Sequence, residues 1–488
     1  MSVKFTKTFS ALLLSGALVF CACESKLDLK PANDITTDNA LVTASQAEAA
    51  LIGCYDAFQQ DGAYGQQILW GPELMSDNCS STNTDVYEFV HCTYISTTGR
   101  VVGGTWGSMF QAITRCNTLL AKIDGISMTD ARKRQIKGEA LGLRAFAYLH
   151  LVRFYGSAPI KTTTADAYSQ TQIAKNTKEE LYTQILKDLL EAQTLVFDRP
   201  YGTDVDRGRI TQGVVNSLLA DVYRTQLNWT DAAAASKKVL DNSLYVFEAN
   251  LSNIFPTKLK KESIFEIQFA GNADGYNVLP DLILPNPPAT YNFKKFLIPV
   301  RSFLNAFNAN DLRLKTYMKF VANSNEDTPA TDVKDELNTN TFPYKWTSPN
   351  GFNSLDNNPV YRVSELMLTR AEALNEMGYP NPEALTLVNR IRQRAALPAF
   401  TQDSVPTQKA FREQIALQRR LELCFEGKRW FDLVHQLEVN KVNPGAYDKT
   451  ALDVIQSKTG QASEYRLILP IPRDELLNNK AMKQNPLY

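Results

Sequence analysis

The chain has 488 residues, 44% of them apolar, and balances 52 lysines and arginines against 52 aspartates and glutamates. That length supports a large buried core, and the even charge excludes the basic face that nucleic acid requires. The three histidines, at 91, 150 and 435, are too scattered for a metal site, so neither a metal nor a cofactor is expected.

Residues 1–22 open with Lys4 and Lys7 and continue through an apolar run from Ala11 to Phe20. The run is too short and too early to span a bilayer, so it reads as an export signal. Small Ala22 precedes Cys23, whereas bulky Phe20 precedes Cys21. This resembles a bacterial lipobox, with Cys23 as the lipidated first residue and residues 23–40, which include Pro31 and lack apolar periodicity, as a tether. Removing the signal takes away two lysines and no acid, leaving a mature chain with a slight acidic excess. Multiple acyl chains, as in the lipoproteins it resembles, hold a protein durably to outer-membrane lipid. Cys54, Cys79, Cys92, Cys116 and Cys424 lie beyond the anchor. Cys79 and Cys92 bracket a polar loop and are the best-placed pair for a disulfide, while the other three fall in helical segments as small hydrophobes.

From residue 41 a single domain is expected to continue to 488. Thr43 or Ser45 caps a helix reaching about residue 60, and 61–104 is a long segment rich in Gly, Asn, Ser and Thr, of the kind that usually serves function. Apolar residues at helical spacing predict helices over 105–126, 129–154, 177–193, 211–227 and 231–240. Gly138, Gly142 and nearby alanines let a neighbour approach the second of these closely. The pair over 211–240 resembles one tetratricopeptide unit, and the same sketch recurs over 363–377 and 382–394. Such pairs bury their apolar faces only by stacking. Between the two blocks, 244–359 is rich in proline, asparagine and aromatics; 263–269 alternates as one short strand, and 302–307 and 311–320 are short helices at most. A helical scaffold over about 41–60, 105–241 and 360–436 therefore carries a loop-rich region over 61–104 and 244–359. The fold class is all-α, with only minor short strands.

Residues 411–436 crowd charge against apolar positions: Ile415, Leu417, Leu421 and Leu423 run along one helix, Gly427 interrupts, and Trp430 and Phe431 begin another. Arg419, Glu422, Glu426, Arg429 and Asp432 lie close enough to these to be partly buried, which requires pairing. Glu422 and Glu426, four apart, have the spacing of an acid/base pair. The surrounding arginines favour a structural brace, in which arginines such as Arg419 and Arg429 hold Glu422 and Glu426, because they depress carboxylate pKa values. Residues 441–463 read as polar and loose, and 464–488 as an extended tail that runs through Pro470 and Pro472 into a helical turn.

Several stretches together resemble the SusD/RagB-like outer-membrane lipoproteins of Bacteroidetes: WGSMFQAITRCNTLL at 106–120, GEALGLRAFAYLHLVRFYGSAPI at 138–160, SELMLTRAEALNEMG at 364–378, VNRIRQRA at 388–395, RRLELCFEGKRWFDLV at 419–434, and LILPIPRDEL with the terminal QNPLY. The resemblance implies a helical scaffold holding a glycan or other nutrient at the cell surface above a SusC-like TonB-dependent transporter, without catalysis. It also implies that Arg144, Glu372, Arg394, Glu422, Glu426, Arg429 and Asp432 are scaffold residues. Leu487 departs from the glycine common in that terminal motif. Sugars are held by aromatic faces and planar polar groups, and the loops offer Tyr64, Trp70, Asp77, Asn78, Tyr276, Asn277, Tyr291 and Trp346 as ligand-binding candidates. Two readings compete. A surface glycosidase needs a facing carboxylate pair, for which Glu73, Asp77, Asp274 and Asp281 are available without a pairing motif. A protein-interaction scaffold built on the repeat helices has no need of the loop aromatics.

Overall fold

Hydroxyl and amide side chains start the scaffold helices. Thr43 and Gln46 form a capping box at α1 (Ala44–Asp56), and Thr177 with Glu180 does the same at α5 (Lys178–Leu195). Thr129 caps α4 (Asp130–Tyr155), Thr211 caps α6 (Gln212–Thr225) and Asn228 caps α7 (Trp229–Leu240). Each side-chain oxygen satisfies an amide that the first turn leaves without a partner. Two further helices precede α4: α2 (Gln67–Met75) and α3 (Trp106–Lys122). In the last third, α8 (Val363–Met377) leads to α9 (Pro382–Arg394), where Asn381 caps and Pro382 occupies the first turn. Then come α10 (Gln408–Glu422), α11 (Arg429–Val442) and α12 (Ala451–Thr459).

This computed structural model describes residues 41–164, 171–199, 207–256, 258–271, 275–285, 294–320, 341–347 and 350–488. The expected signal segment, Cys23, the tether, Asp274 and Tyr291 lie outside the described residues. Residues Thr43–Tyr488 make one compact unit, and none of the described helices is long and apolar enough to cross a membrane.

The helices pack serially: α3 on α4, α4 on α5, α5 on α6 and α6 on α7; α8 then lies on α7, α9 and α10. Small residues set the spacing. Ala232 and Ala233 of α7 meet Ala373 of α8 in one buried cluster. A Cβ on Gly138 would come within 2.6 Å of Val196, and one on Gly142 within 2.8 Å of Ile210, so the expected close approach to α4 comes from the chain that ends and follows α5. The predicted strand is real. It is β2 (Ser263–Ile267), antiparallel to β6 (Asn358–Arg362) with Ser263 opposite Arg362 and a bulge between. Both strands are wholly buried, and Phe265 meets Phe146 of α4 edge-on at 5.9 Å. The other described strands form two small pairs, β1 (Cys79–Ser80) with β3 (Ile298–Pro299) and β4 (Met318–Phe320) with β5 (Thr341–Pro343).

Three expectations are corrected. The 61–104 segment contains α2, every residue of which is buried although Pro72 lies inside it. Residues 441–463 are ordered as the end of α11 and all of α12, because Ala451, Val454 and Ile455 form a buried stripe. Cys79 and Cys92 are buried free thiols, as are Cys54, Cys116 and Cys424.

The brace at 419–432 is present with different partners. Glu422 and Glu426 are buried, but Arg419 and Arg429 do not hold them. Arg362, at the end of β6, reaches Glu422 at 3.2 Å, Glu426 at 2.7 Å and Glu262 at 3.0 Å. Arg394 from α9 adds a 2.7 Å contact to Glu422, and Lys345 one of 2.6 Å to Glu426. Arg419 instead bridges Asp432 at 2.7 Å and Glu365 at 2.9 Å. Burial raises the Glu422 pKa, but Arg394, Arg362, Arg313 and Lys345 overcome that and hold it at about 2. Burial opposes ionisation of Glu426 too, and Arg362 and Lys345 bring it below the usual range. Neither Glu422 nor Glu426 is left free for acid/base work.

Glu426→Ala would leave Arg362 and Lys345 buried without their shared partner and should cost about 3–5 kcal/mol, measured by denaturant titration at neutral pH. Glu422 has a depressed folded-state pKa, so its contribution is present above the ordinary value of 4.5 and is lost as pH falls through about 2, and the depressed pKa of Glu426 acts in the same direction. The denaturation midpoint of the intact protein should therefore fall over that acid range.

Candidate functional site

The last turn of α2 delivers a polar corner to the loop-rich side. Ser76 Oγ donates to Glu73 O at 2.7 Å and accepts from the Asn78 amide at 3.1 Å, so Asp77 and Asn78 leave the helix in a fixed direction. Asn78 Nδ2 donates to Glu73 Oε2 at 3.1 Å, and its Oδ1 accepts from Arg420 Nε at 2.9 Å. The Asp77 carboxylate is shared by Arg429 at 2.7 Å, Lys449 at 2.9 Å and Arg420 at 3.1 Å. Burial favours its neutral form, yet Arg429, Arg420 and Lys449 hold it well below the ordinary carboxylate range. Glu73 has no such company. Burial pushes it up to about 7, against hydrogen bonds from Asn78 and the backbone of Phe425 and Gly427.

Gly427 locks this corner to the scaffold. Its φ is +71°, and a Cβ there would lie 2.3 Å from the Ile68 carbonyl oxygen of α2; both the left-handed backbone and the close approach require glycine. Its amide donates to Glu73 Oε1 at 3.2 Å.

Asp77 lies on the wall of an open cleft of about 740 Å³. β1 pairs with β3, and Val300 N then donates to Asn78 O at 3.0 Å, which brings the short helix Arg301–Leu304 to the opposite side. Arg301, Ser302 and Asn305 line that wall, and Lys449, Ser457 and Lys458 enter from the start and end of α12. His91 completes the rim. Its ring lies 4.1 Å from that of Tyr87, centroid to centroid, and Tyr87 is 54% exposed. The cleft thus offers hydroxyls, an amide and cations, with His91 on its rim and the exposed Tyr87 ring packed against His91, a combination that suits hydrogen-bonding ring compounds. A second, narrower cavity of about 380 Å³ lies among the scaffold helices. Its polar floor is already paired, Arg153 with Asp221 at 2.6 Å and Arg419 with Asp432 at 2.7 Å.

Two family profiles match the chain, one described as "SusD family" over residues 315–488 and one as "Starch-binding associating with outer membrane" over residues 27–224. The chain belongs to the SusD family. Among similar SusD-family proteins, SusD-like protein P2 of Formosa agariphila is 26% identical over 99% of this chain and 100% of that protein. A SusD superfamily crystal structure from Parabacteroides distasonis, 25% identical, superposes with a TM-score of 0.77 over 93% of this chain and 100% of its own. Surface glycan-binding protein A from Bacteroides thetaiotaomicron, in complex with laminarihexaose, shares the fold at 21% identity and a TM-score of 0.73, covering 91% of this chain and 100% of that one.

In this SusD-family chain, the loop residues expected to face a ligand divide by burial. Asp77 lines the cleft. Trp70 is fully buried, edge-on to Phe89 and Phe296 at 5.5 and 5.7 Å. Trp346 is 1% exposed, and its indole N–H donates to Asn358 Oδ1 at 2.7 Å. Tyr64 stacks on Phe146 at 5.7 Å within the core. Asn277 is buried and donates to Asp356 O at 2.7 Å and to Asn358 Oδ1 at 2.9 Å. Asn78 is buried between Glu73 and Arg420. These five side chains present no face to a sugar, because the segments that carry them are packed into the protein interior. Tyr276 is partly exposed beside Gly271 and Leu355, away from the cleft wall.

Sequence reasoning passed over His91, Arg301, Asn305, Lys449 and Lys458, which come from segments up to several hundred residues apart. The one usable signal was Tyr87, an aromatic in a polar stretch with no apolar periodicity around it. Trp70→Ala and Trp346→Ala each empty a filled core site and should each destabilise by about 3–5 kcal/mol. Thermal denaturation of the single variants checks this, and an unchanged midpoint would contradict the core assignment.

Proposed function

We propose that the protein binds a glycan at the cleft between Asp77, His91, Arg301 and Lys449 and holds it for delivery to a SusC-like TonB-dependent transporter in the outer membrane. The observation that carries the reading is the open cleft with His91 on its rim and the exposed Tyr87 ring packed against His91, on a scaffold shared with a glycan-binding protein in complex with laminarihexaose. An aromatic face packs on the C–H surface of a pyranose ring while Ser302, Asn305 and Ser457 meet its hydroxyls. The family description "associating with outer membrane" supports attachment there, with Cys23 as the lipidated residue and the body facing the cell exterior.

Binding without catalysis is the chemistry these side chains support. Glycoside hydrolysis uses two carboxyl groups placed across the bond, one of them protonated. Asp77 is the single carboxylate on the cleft wall among the described residues, and three cations keep it ionised. Glu73 and Asp281 are buried.

Tyr87→Ala should weaken oligosaccharide binding by about tenfold, in line with loss of one aromatic contact, and leave the melting temperature unchanged. Isothermal titration with a glycan panel, alongside differential scanning calorimetry, measures both; unaltered affinity would remove Tyr87 from the site. Crosslinking in intact membranes should capture a β-barrel transporter, and recovery of no barrel partner would refute the delivery role.

A further inference from the structure

Two of the free thiols, Cys54 and Cys116, meet where α1 packs on α3. The buried stripe of α1 runs through Ala47, Leu51 and Cys54, and that of α3 through Met109, Ala112, Ile113 and Cys116. Arg115 fixes the register of the two helices: its Nη1 donates to Gly53 O at 2.5 Å and to Asp56 Oδ2 at 2.6 Å. The two acceptors flank Cys54 and the donor precedes Cys116, so the crossing brings the cysteines together, both wholly buried. Their thiols share a hydrogen bond, which together with burial holds the Cys116 thiol well above its ordinary pKa. The other cysteines turn elsewhere. Cys424 Sγ lies 3.4 Å from Leu421 O, Cys92 Sγ lies 4.0 Å from Met75 O and Phe89 O, and Cys79 sits in β1 opposite Pro299.

We propose that Cys54 and Cys116 become joined as a disulfide once the protein is exported, stapling α1 to α3. Thiol–disulfide exchange with a disulfide oxidant makes the bond. Each cysteine gives up its S–H proton, one S–S bond forms between them, and the two electrons reduce the oxidant's disulfide to two thiols. A protonated pair shut away from water is a poor nucleophile, which assigns the exchange to the folding chain, before α1 has docked. Attachment at the outer membrane, which the family description supports, puts that step outside the reducing cytosol. The bond closes the chain between residues 54 and 116 and so restricts the unfolded state. It also secures the helix that directly follows the expected tether in the sequence.

The intact protein, isolated from cell envelopes in N-ethylmaleimide and then denatured, should carry that label on Cys79, Cys92 and Cys424 and on neither Cys54 nor Cys116. Peptide mapping should find the Cys54 and Cys116 peptides linked until a reductant is added. Reduced protein refolded in a mixture of reduced and oxidised glutathione should form this bond ahead of every other pair. The oxidised product should melt several degrees above protein refolded in dithiothreitol, and Cys116→Ala should show no such difference. Label on Cys54 or Cys116 in the envelope protein would overturn the inference. So would a mixture of pairings on refolding, equal melting of the two wild-type products, or a difference in melting that Cys116→Ala retains.

Discussion

The structure depends on a lattice of charge sealed from water. Arg362 stands at its centre, bonded at once to Glu262, Glu422 and Glu426. Those four residues belong to the approach to β2, the end of β6, the end of α10 and the turn before α11, so a single guanidinium joins the loop-rich region to the last helix pair. Isolated charges at this depth would be ruinous. Arg394, Lys345, and Arg313 with its partner Asp311 at 2.7 Å, extend the lattice until Glu262, Glu422 and Glu426 each face more than one cation. The arrangement has directional demands that an apolar core lacks: a planar guanidinium satisfied on both edges fixes the angle between its partners. β6 runs straight into α8, so fixing Arg362 also fixes where the second block of helices begins.

A second set of charges repeats the logic one turn away. Arg419 joins Asp432 and Glu365, and Arg224 joins Asp432 and Glu372. His435 and Tyr447 also reach Glu372, at 3.0 and 2.8 Å. The two sets share α10, which therefore has a carboxylate turned toward one network and an arginine toward the other.

Local rules carried the helices. Thr43 was readable as a cap because the chemistry of a first turn is contained within four residues. Gly138 and Gly142 announced a close approach for the same reason. Reading failed where the cause was remote. Arg362 and Lys345 meet their carboxylates across more than sixty residues, so periodicity near 419–432 suggested the nearest arginines as partners. Trp70 and Trp346 looked like sugar platforms because they lie among Gly, Asn and Pro; burial is decided by where such a segment folds, which its own composition does not record. Pro72 masked α2 in the same way: a helix packed on all sides tolerates the lost amide that an isolated one would not. The cleft was least accessible of all, since its walls come from four distant segments.

Asp77 joins these two levels. Arg420 and Arg429, which grip it, belong to the segment whose other charges seal the scaffold, while Lys449 reaches it from the open side. One wall of the cleft is thereby an outgrowth of the fold itself and is as immovable as the lattice behind it. The facing wall, with Ser302 and Asn305 exposed on it, bears no such burden. Substitutions there can change what the cleft presents while the architecture is inherited intact, so the lining can diverge among related chains without any of them passing through an unfolded ancestor.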